Sequence, residues 1–295
     1  MLSEAVEVYR SGRLADCEER AFMLTAVRVP SELARAGESY VLLVDPHTAA
    51  EARSHLLQYQ KEVQRPGGPA PPPPPRLHAH AWIGCALYSA VLIAVAYAVN
   101  NGIWRLDAFD VGELDAAAVQ GGEWWRAWTA LTLHFGPEHL AANLGAGIWF
   151  GYLAGRLLGP GVAWALIVNG GACADLLEGL LAVPSRRAAG ASTAVFTALG
   201  LLAAYSWRQR RHLAPHWALG WSPLVAGLVL LGWLGTAGAE TDIFAHLAGF
   251  AVGGVLGAVV ATPLLQRTLE RAPQWLAGLL ALGPVALAWL WALAS

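Results

Sequence analysis

The sequence predicts an all-α polytopic membrane protein preceded by a small α+β domain. Hydrophobic residues make up 56% of the 295 residues and charged residues only 14%, whereas soluble domains carry nearer a quarter of charged residues. Most of the apolar residues after His80 are gathered into long stretches, as expected for a chain that lies in a bilayer. The formal net charge of −2 gives no indication of a nucleic-acid partner.

Residues 1–64 have the polar, mixed-charge composition of a small soluble α+β domain. Within it, RAFMLTAVRV at 20–29 and SYVLLVD at 39–45 predict short strands. TAAEARSHLLQYQKEV at 48–63 has apolar residues at helical spacing and predicts an amphipathic helix. RPGGPAPPPPPR at 65–76 follows, and because prolines lack amide donors and favour extended structure, it predicts a semi-rigid linker.

Seven apolar stretches in residues 77–295 predict seven membrane spans, because a span needs roughly 20 apolar residues. They lie at about 81–100, 139–158, 161–181, 190–207, 217–236, 244–264 and 273–294. The first begins near His80, so no cleavable signal peptide is expected. The segment 101–138 is too charged to span but is rich in tryptophan, which favours the headgroup region. It therefore predicts a structured loop at the membrane interface.

The placement of arginine predicts the orientation of these spans. The cationic residues on one side are those of WRQRRH at 207–212 and QRTLER at 266–271, with Arg65, Arg76 and Arg156. Cationic loops stay in the cytoplasm, which predicts a cytoplasmic N-terminus and a C-terminus outside. Arg186 and Arg187, just before the fourth span, are exceptions to this pattern.

Polar residues within the spans are few and fall at one depth. HFGPEHLAANLG places His134, His139 and Asn143 at the outer end of the second span, and His139 and Asn143 share a helical face. GASTAVF places Ser192 at the outer end of the fourth span, and DIFAHLAGF places His246 at the outer end of the sixth. Because polar groups in spans usually face a cavity or the bundle interior, these residues predict one polar site below the outer face.

A serine hydroxyl becomes a nucleophile when a positioned imidazole takes its proton, which Ser192 and His246 can do if their helices pack closely. Small residues at every fourth position allow such packing between membrane helices. On the sixth span they are Gly249, Gly253 and Gly257, and the surface expected to match them on the fourth comprises Gly190, Ala191, Ala194 and Ala198. The donors available for an oxyanion are the Ser192 amide, the Asn143 side chain and the His139 imidazole.

Other interpretations of these residues stay open. A lone serine in a span is more often a packing residue, and His134 suits a structural histidine bonded to a loop carbonyl. HFGPEH is not the HExxH motif of zinc enzymes, and the three cysteines show no CxxC spacing, so neither a metal nor an organic cofactor is expected. Asp175 and Glu178 in the third span favour a transporter as the alternative of another class.

Four motifs in order resemble the rhomboid intramembrane serine proteases over residues 81–265. They are EWWRAW in the first outer loop, HFGPEHLAANLG as an HxxxN element, GASTAVFTALG in place of GxSG, and AHLAGFAVGG as AHxxGxxxG. The resemblance implies a six-helix core with a seventh, C-terminal transmembrane helix. It also implies a protease that cuts peptide bonds in or next to transmembrane segments of other membrane proteins.

By this resemblance Ser192 is the nucleophile and His246 the general base of a dyad. His139 and Asn143 would join the Ser192 amide in an oxyanion hole, and Phe196 would stack on the His246 ring. The residues expected to support the site through the fold of these motifs are Gly190, Gly249, Trp125 and Arg126.

The resemblance also implies a location and a route of entry. The implied location is a bacterial inner membrane, with the active site opening to the outer side and substrates entering beside the fifth span under a cap at about 236–245. Thr193 stands where the family usually has glycine, and we expect it to narrow the space around the scissile peptide. This departure is the sequence feature that favours the alternative of a pseudoprotease, which binds membrane clients without cutting them.

Overall fold

The chain forms two compact units, Met1–Pro73 and Pro74–Ser295. The computed structural model describes residues 5–64, 77–104, 106–211, 217–235 and 242–295. The predicted linker at 65–76 and most of the predicted cap at 236–245 lie outside the described residues.

The N-terminal unit is a three-stranded antiparallel sheet with two helices. Its elements are β1 (Val6–Ser11), α1 (Leu14–Ala26), β2 (Glu32–Ala36), β3 (Ser39–Val44) and α2 (Ala49–Gln64). The sheet order is β1–β3–β2, so β3 pairs with both neighbours. The buried residues of its core are Cys17, Leu24, Val29, Leu42, Val44, Ala49, Ala52 and Leu56.

The strand predicted at 20–29 is wrong, because residues up to Ala26 belong to α1. Cys17 and Leu24 are both fully buried, and their spacing of seven residues returns a side chain to the same helical face. The apolar residues up to Ala26 therefore belong to a helix that packs on the sheet. The strand predicted at 39–45 corresponds to β3, and the helix predicted at 48–63 corresponds to α2.

The second unit is helical apart from one two-stranded ribbon. Its helices are α3 (Trp82–Asn100), α4 (Ala108–Gly112), α5 (Ala116–Gln120), α6 (Arg126–Thr129), α7 (Pro137–Leu158), α8 (Pro160–Leu181), α9 (Ser192–Arg210), α10 (Trp217–Gly235), α11 (Ile243–Val260), α12 (Pro263–Glu270) and α13 (Gln274–Ala292). The ribbon pairs β4 (Leu114–Asp115) with β5 (Arg187–Ala188). Within the described residues, α3, α8, α11 and α13 are long and apolar enough to cross a membrane. The protein is therefore an integral membrane protein.

The segment between α3 and α7 is folded, not extended. It contains α4, β4, α5 and α6, followed by a 3₁₀ turn at Ala130–Thr132. The β4–β5 ribbon ties this segment to the residues that lead into α9, since Ala116 N–H also donates to the Arg186 carbonyl at 3.0 Å. The start of α9 is consequently held by backbone hydrogen bonds outside the helix bundle.

Helix α9 is the centre of the bundle and contacts α7, α8, α10 and α11. Its closest neighbour is α11, whose Gly249, Gly253 and Gly257 face α9. A methyl group at Gly249 would lie 2.5 Å from the Thr193 carbonyl oxygen, and methyl groups at the other two would overlap the carbonyls of Thr197 and Leu201. The two backbones therefore touch without intervening side chains, as small residues permit.

The surface predicted on α9 to match this glycine row is wrong. The facing row is Thr193, Thr197 and Leu201, whereas Ala194 contacts Gly171 of α8 and Gly190 contacts the His139 ring. The reason is that the glycine row of α11 comes closest to carbonyl oxygens of α9, not to its side chains. Small side chains on one helix are enough for this approach, so the partner row needs no glycine or alanine.

Candidate active site

Ser192 is the first residue of α9 and follows a tight turn. Gly190 in that turn has a φ of +148°, a conformation that L side chains rarely adopt, and its N–H donates to the Ala130 carbonyl at 3.0 Å. A methyl group at Gly190 would also lie 2.7 Å from the His139 ring. Glycine at this position is therefore required by both the backbone and the neighbouring imidazole.

His246 lies in the first turn of α11 and is buried. Its Nε2 atom is 3.0 Å from the Ser192 Oγ atom, a hydrogen-bonding distance. The Phe196 ring, one helical turn after Ser192, lies against the imidazole with ring centroids 4.3 Å apart. The glycine contacts of α11 thus bring together a hydroxyl, an imidazole and an aromatic ring that limits imidazole rotation.

His139 and Asn143 lie on α7, on the other side of the turn that holds Gly190. Asn143 is buried, and one of its amide N–H groups donates to the His139 carbonyl at 3.1 Å. A Gly190 methyl group would be 2.9 Å from His139 Nε2 and 3.8 Å from Asn143 Nδ2. Both side chains therefore reach the backbone just before Ser192.

His134 forms a hydrogen bond to the same turn. Its Nε2 atom accepts a hydrogen bond from the Ala191 N–H at 3.3 Å, so its Nδ1 atom carries the proton and donates to the Thr132 carbonyl at 3.3 Å. Burial, with the neighbouring His139, lowers the pKa of His134 to about 4. A neutral imidazole thus accepts from the amide next to Ser192 at physiological pH.

We expect this histidine to make stability depend on pH. Between the ordinary histidine pKa of about 6.5 and the folded value, only the unfolded chain binds the proton, so unfolding becomes easier as the pH falls through this window. His134→Gln removes the titrating group and keeps a side chain that can donate and accept. The Tm advantage of the wild type over His134→Gln in detergent should shrink by about 2–4 °C between pH 7 and pH 4.5. A constant difference would contradict this assignment.

Trp125 and Arg126 organise the loop and do not contact the Ser192–His246 pair in the contacts described. The buried Arg126 guanidinium donates to the carbonyls of Glu113 at 3.0 Å and Asp110 at 2.8 Å. Trp125 stacks near Trp291 of α13, with ring centroids 5.9 Å apart. Arg126 therefore links parts of the segment between α3 and α7 to one another, and Trp125 connects this segment to α13.

The Thr193 side chain makes its contacts inside the bundle. It is buried, its hydroxyl lies beside the Asp175 carboxyl of α8, and its methyl group faces Gly249. Its backbone carbonyl accepts a hydrogen bond from the Thr197 hydroxyl at 2.8 Å. Thr193, which stands where the family that the sequence resembles usually has glycine, is thus held between α8 and α11.

Sequence reasoning missed the pairing of charged residues at the end of the bundle where Ser192 and His246 lie. Arg186 Nε donates to Glu178 Oε1 at 3.0 Å, and the same guanidinium pairs with Asp242, the N-cap of α11. Burial acts to raise the pKa of Asp242, but the neighbouring Glu178 carboxyl group, the hydrogen bond from the Ala245 amide and the Arg186 guanidinium lower it. The available signal was that Arg186 breaks the pattern of cationic residues on one side.

An apolar helical bundle that brings a serine hydroxyl to an imidazole defines the class: a polytopic membrane protein with a half-buried serine next to a buried histidine. Residues 121–263 match the sequence model of the Rhomboid domain. The chain is also similar to the rhomboid protease GluP of Bacillus subtilis (strain 168), with 29% identity over 176 residues. That similarity covers 59% of this chain and 33% of GluP. Residues 121–263 are therefore similar to the Rhomboid domain, and the chain spans about a third of the length of this curated relative.

Proposed function

We propose that this protein is an intramembrane serine protease that hydrolyses peptide bonds in or next to transmembrane segments of membrane proteins. The observation that carries the proposal is the 3.0 Å separation of Ser192 Oγ and His246 Nε2 on two helices in backbone contact. The match of residues 121–263 to the Rhomboid domain and the similarity to a rhomboid protease support the same reaction.

The first half of the proposed reaction uses His246 as a base. Nε2 takes the Ser192 proton as Oγ attacks the scissile carbonyl carbon, and the carbonyl oxygen becomes an oxyanion. When the intermediate collapses, the carbon–nitrogen bond breaks and the imidazolium gives its proton to the leaving amine. Ser192 is left as an ester with the carbonyl half of the substrate.

The oxyanion would be held by donors on two sides of the turn at Gly190. The Ser192 N–H opens α9, where the first amides of a helix lack a partner one turn back. Asn143 and His139 approach from α7. Donors that are already in place when the charge develops stabilise the transition state without reorganising.

The second half repeats the chemistry with water. His246 takes a proton from water, the resulting hydroxide attacks the ester carbon, and the Ser192 oxygen leaves and is reprotonated by the imidazolium. The same oxyanion donors serve this step. No group beyond the described side chains and water is needed to balance either half.

We further propose that α3, α7, α8, α9, α10, α11 and α13 span the membrane, with a cytoplasmic N-terminus and the site below the outer face. The orientation rests on the other arginines, whose placement follows the positive-inside rule. Arg186 and Arg187 stay exceptions to it. In the structure Arg186 pairs with Glu178 and Asp242, and Arg187 pairs with Glu113 at 2.8 Å and Asp115 at 3.2 Å.

The test is cleavage of a labelled single-span substrate by purified protein in liposomes, together with covalent labelling by a fluorophosphonate. The wild type should cut the substrate and carry the label on Ser192, and Ser192→Ala should do neither. Ser206→Ala is the matched control, because it removes a hydroxyl from the opposite end of the same helix.

The outcomes separate the alternatives. Wild-type protein that neither cuts a panel of single-span substrates nor takes the label would contradict the proposal. Protein that retains substrate in a pull-down but leaves it uncut and Ser192 unlabelled would be a pseudoprotease. Equal loss in Ser192→Ala and Ser206→Ala would show that the assay reports folding and not the hydroxyl.

A further inference from the structure

The Arg186 side chain joins three parts of the fold that are distant in sequence. It extends from the segment leading into α9, donates to Glu178 near the end of α8, and pairs with Asp242 at the start of α11. Glu178 is almost completely buried and Asp242 largely so. Buried carboxylates need a cation or donors, and Arg186 supplies both to each of them.

Asp242 transmits this link to the first turn of α11. Its Oδ1 atom accepts from the Ala245 N–H at 3.1 Å, and its carbonyl accepts from the His246 N–H at 3.1 Å. An aspartate in this position is an N-cap, which defines where the helix begins. The carboxylate that pairs with Arg186 therefore also defines the backbone from which His246 extends.

Arg186 is itself held in place. Its carbonyl accepts from the Ala116 N–H at 3.0 Å, and the backbone of the next residue, Arg187, pairs with the backbone of Asp115 in the β4–β5 ribbon. Six residues later the chain reaches Ser192. One side chain thus connects the strand that leads to the serine with the turn that carries the histidine.

The glycine contacts and this ion pair constrain different movements. The carbonyl contacts of Gly249, Gly253 and Gly257 set the separation of α9 and α11. These are van der Waals contacts and supply no directional bond between the helices. The Arg186–Asp242 pair is directional and lies at the end of α11 where His246 is found.

We propose that Arg186, with Glu178 and Asp242, is a positioning group that holds His246 at hydrogen-bonding distance from Ser192. It does not touch the reacting atoms and acts through the start of α11. Its catalytic consequence rests on the proposed function, whereas its effect on the position of the imidazole does not.

The experiment compares two neighbouring arginines. Arg186→Gln should lower kcat roughly 10–100-fold with KM within about twofold, since small displacements of a catalytic group have large effects on rate and small effects on binding. Arg187→Gln is the matched control, because it removes an outer-loop arginine whose partners, Glu113 and Asp115, do not lie on α11. It should change kcat less than about twofold for a similar change in Tm. Arg186→Lys, which keeps the charge, should recover part of the rate.

A second readout is independent of cleavage. In protein labelled with ¹⁵N-histidine, the His246 ring signals, assigned with His246→Gln, should shift in Arg186→Gln and in Asp242→Asn but not in Arg187→Gln. Asp242→Asn keeps an oxygen for the helix cap, so it can replace Arg186→Gln in this test if Arg186→Gln does not fold. Unmoved ring signals, or equal kcat losses at positions 186 and 187, would overturn the inference. A wild type without protease activity would instead refute the proposed function, and the ring signals would still decide the positioning.

Discussion

Ser192→Ala, His246→Ala and the double variant are expected to lose the same large factor in kcat, at least about 10³-fold. The two side chains act as one unit, because the hydroxyl is a poor nucleophile without the imidazole and the imidazole has no proton to take without the hydroxyl. Once either side chain is absent, removing the other should not lower kcat further. The measurement is single-turnover cleavage in detergent, with Tm recorded for each variant.

Asn143→Ala provides the comparison for this result. It removes one proposed oxyanion donor and leaves the Ser192–His246 pair intact, so it should cost about 10²–10³-fold and retain fluorophosphonate labelling. If the separate reductions in kcat of His246→Ala and Ser192→Ala multiplied in the double variant, the two residues would act independently. The dyad would then be the wrong description of the site.

Gly253→Ala is expected to have the largest effect on the fold. An added methyl group would overlap the Thr197 carbonyl, which is backbone and cannot move aside without shifting α9. Overpacking of this kind costs about 1–3 kcal/mol or more, and it separates the helices that carry Ser192 and His246. We expect a Tm lower by several degrees and cleavage lower by at least about tenfold, given the sensitivity of catalysis to misplacement.

Gly254→Ala is the matched control for this substitution. The neighbouring glycine lies in the same helix, and a methyl group there would meet no heavy atom within 4 Å. Alanine is the better helix former, so this variant should be as stable as the wild type or slightly more so. Similar losses at positions 253 and 254 would mean that the helix backbone, and not contact with α9, explains the effect.

Much of the membrane unit was predictable because its signals are local. An apolar stretch of about 20 residues is long enough to cross the hydrocarbon core as a helix. The helices α3, α7–α11 and α13 follow the predicted stretches. The i, i+4 relation of His139 and Asn143, and the glycines at every fourth residue of α11, are likewise properties of one helix. The misassigned strand at 20–29 shows the limit, since α1 is selected by burial of Cys17 and Leu24 against a sheet.

Composition and periodicity therefore led to a helical membrane bundle and to the residues gathered at its outer end. The pairing of Ser192 with His246 was a prediction of the sequence. The 3.0 Å distance between their side chains, the row of α9 carbonyls that α11 touches, and the pairing of Arg186 with Glu178 and Asp242 came from the folded chain alone. The reason is physical: helix formation and membrane partition act on neighbours in sequence, whereas backbone contacts and ion pairs join residues from different helices. Arg186 was an exception to a sequence pattern, and in the structure it is the residue that links the serine segment to the histidine helix.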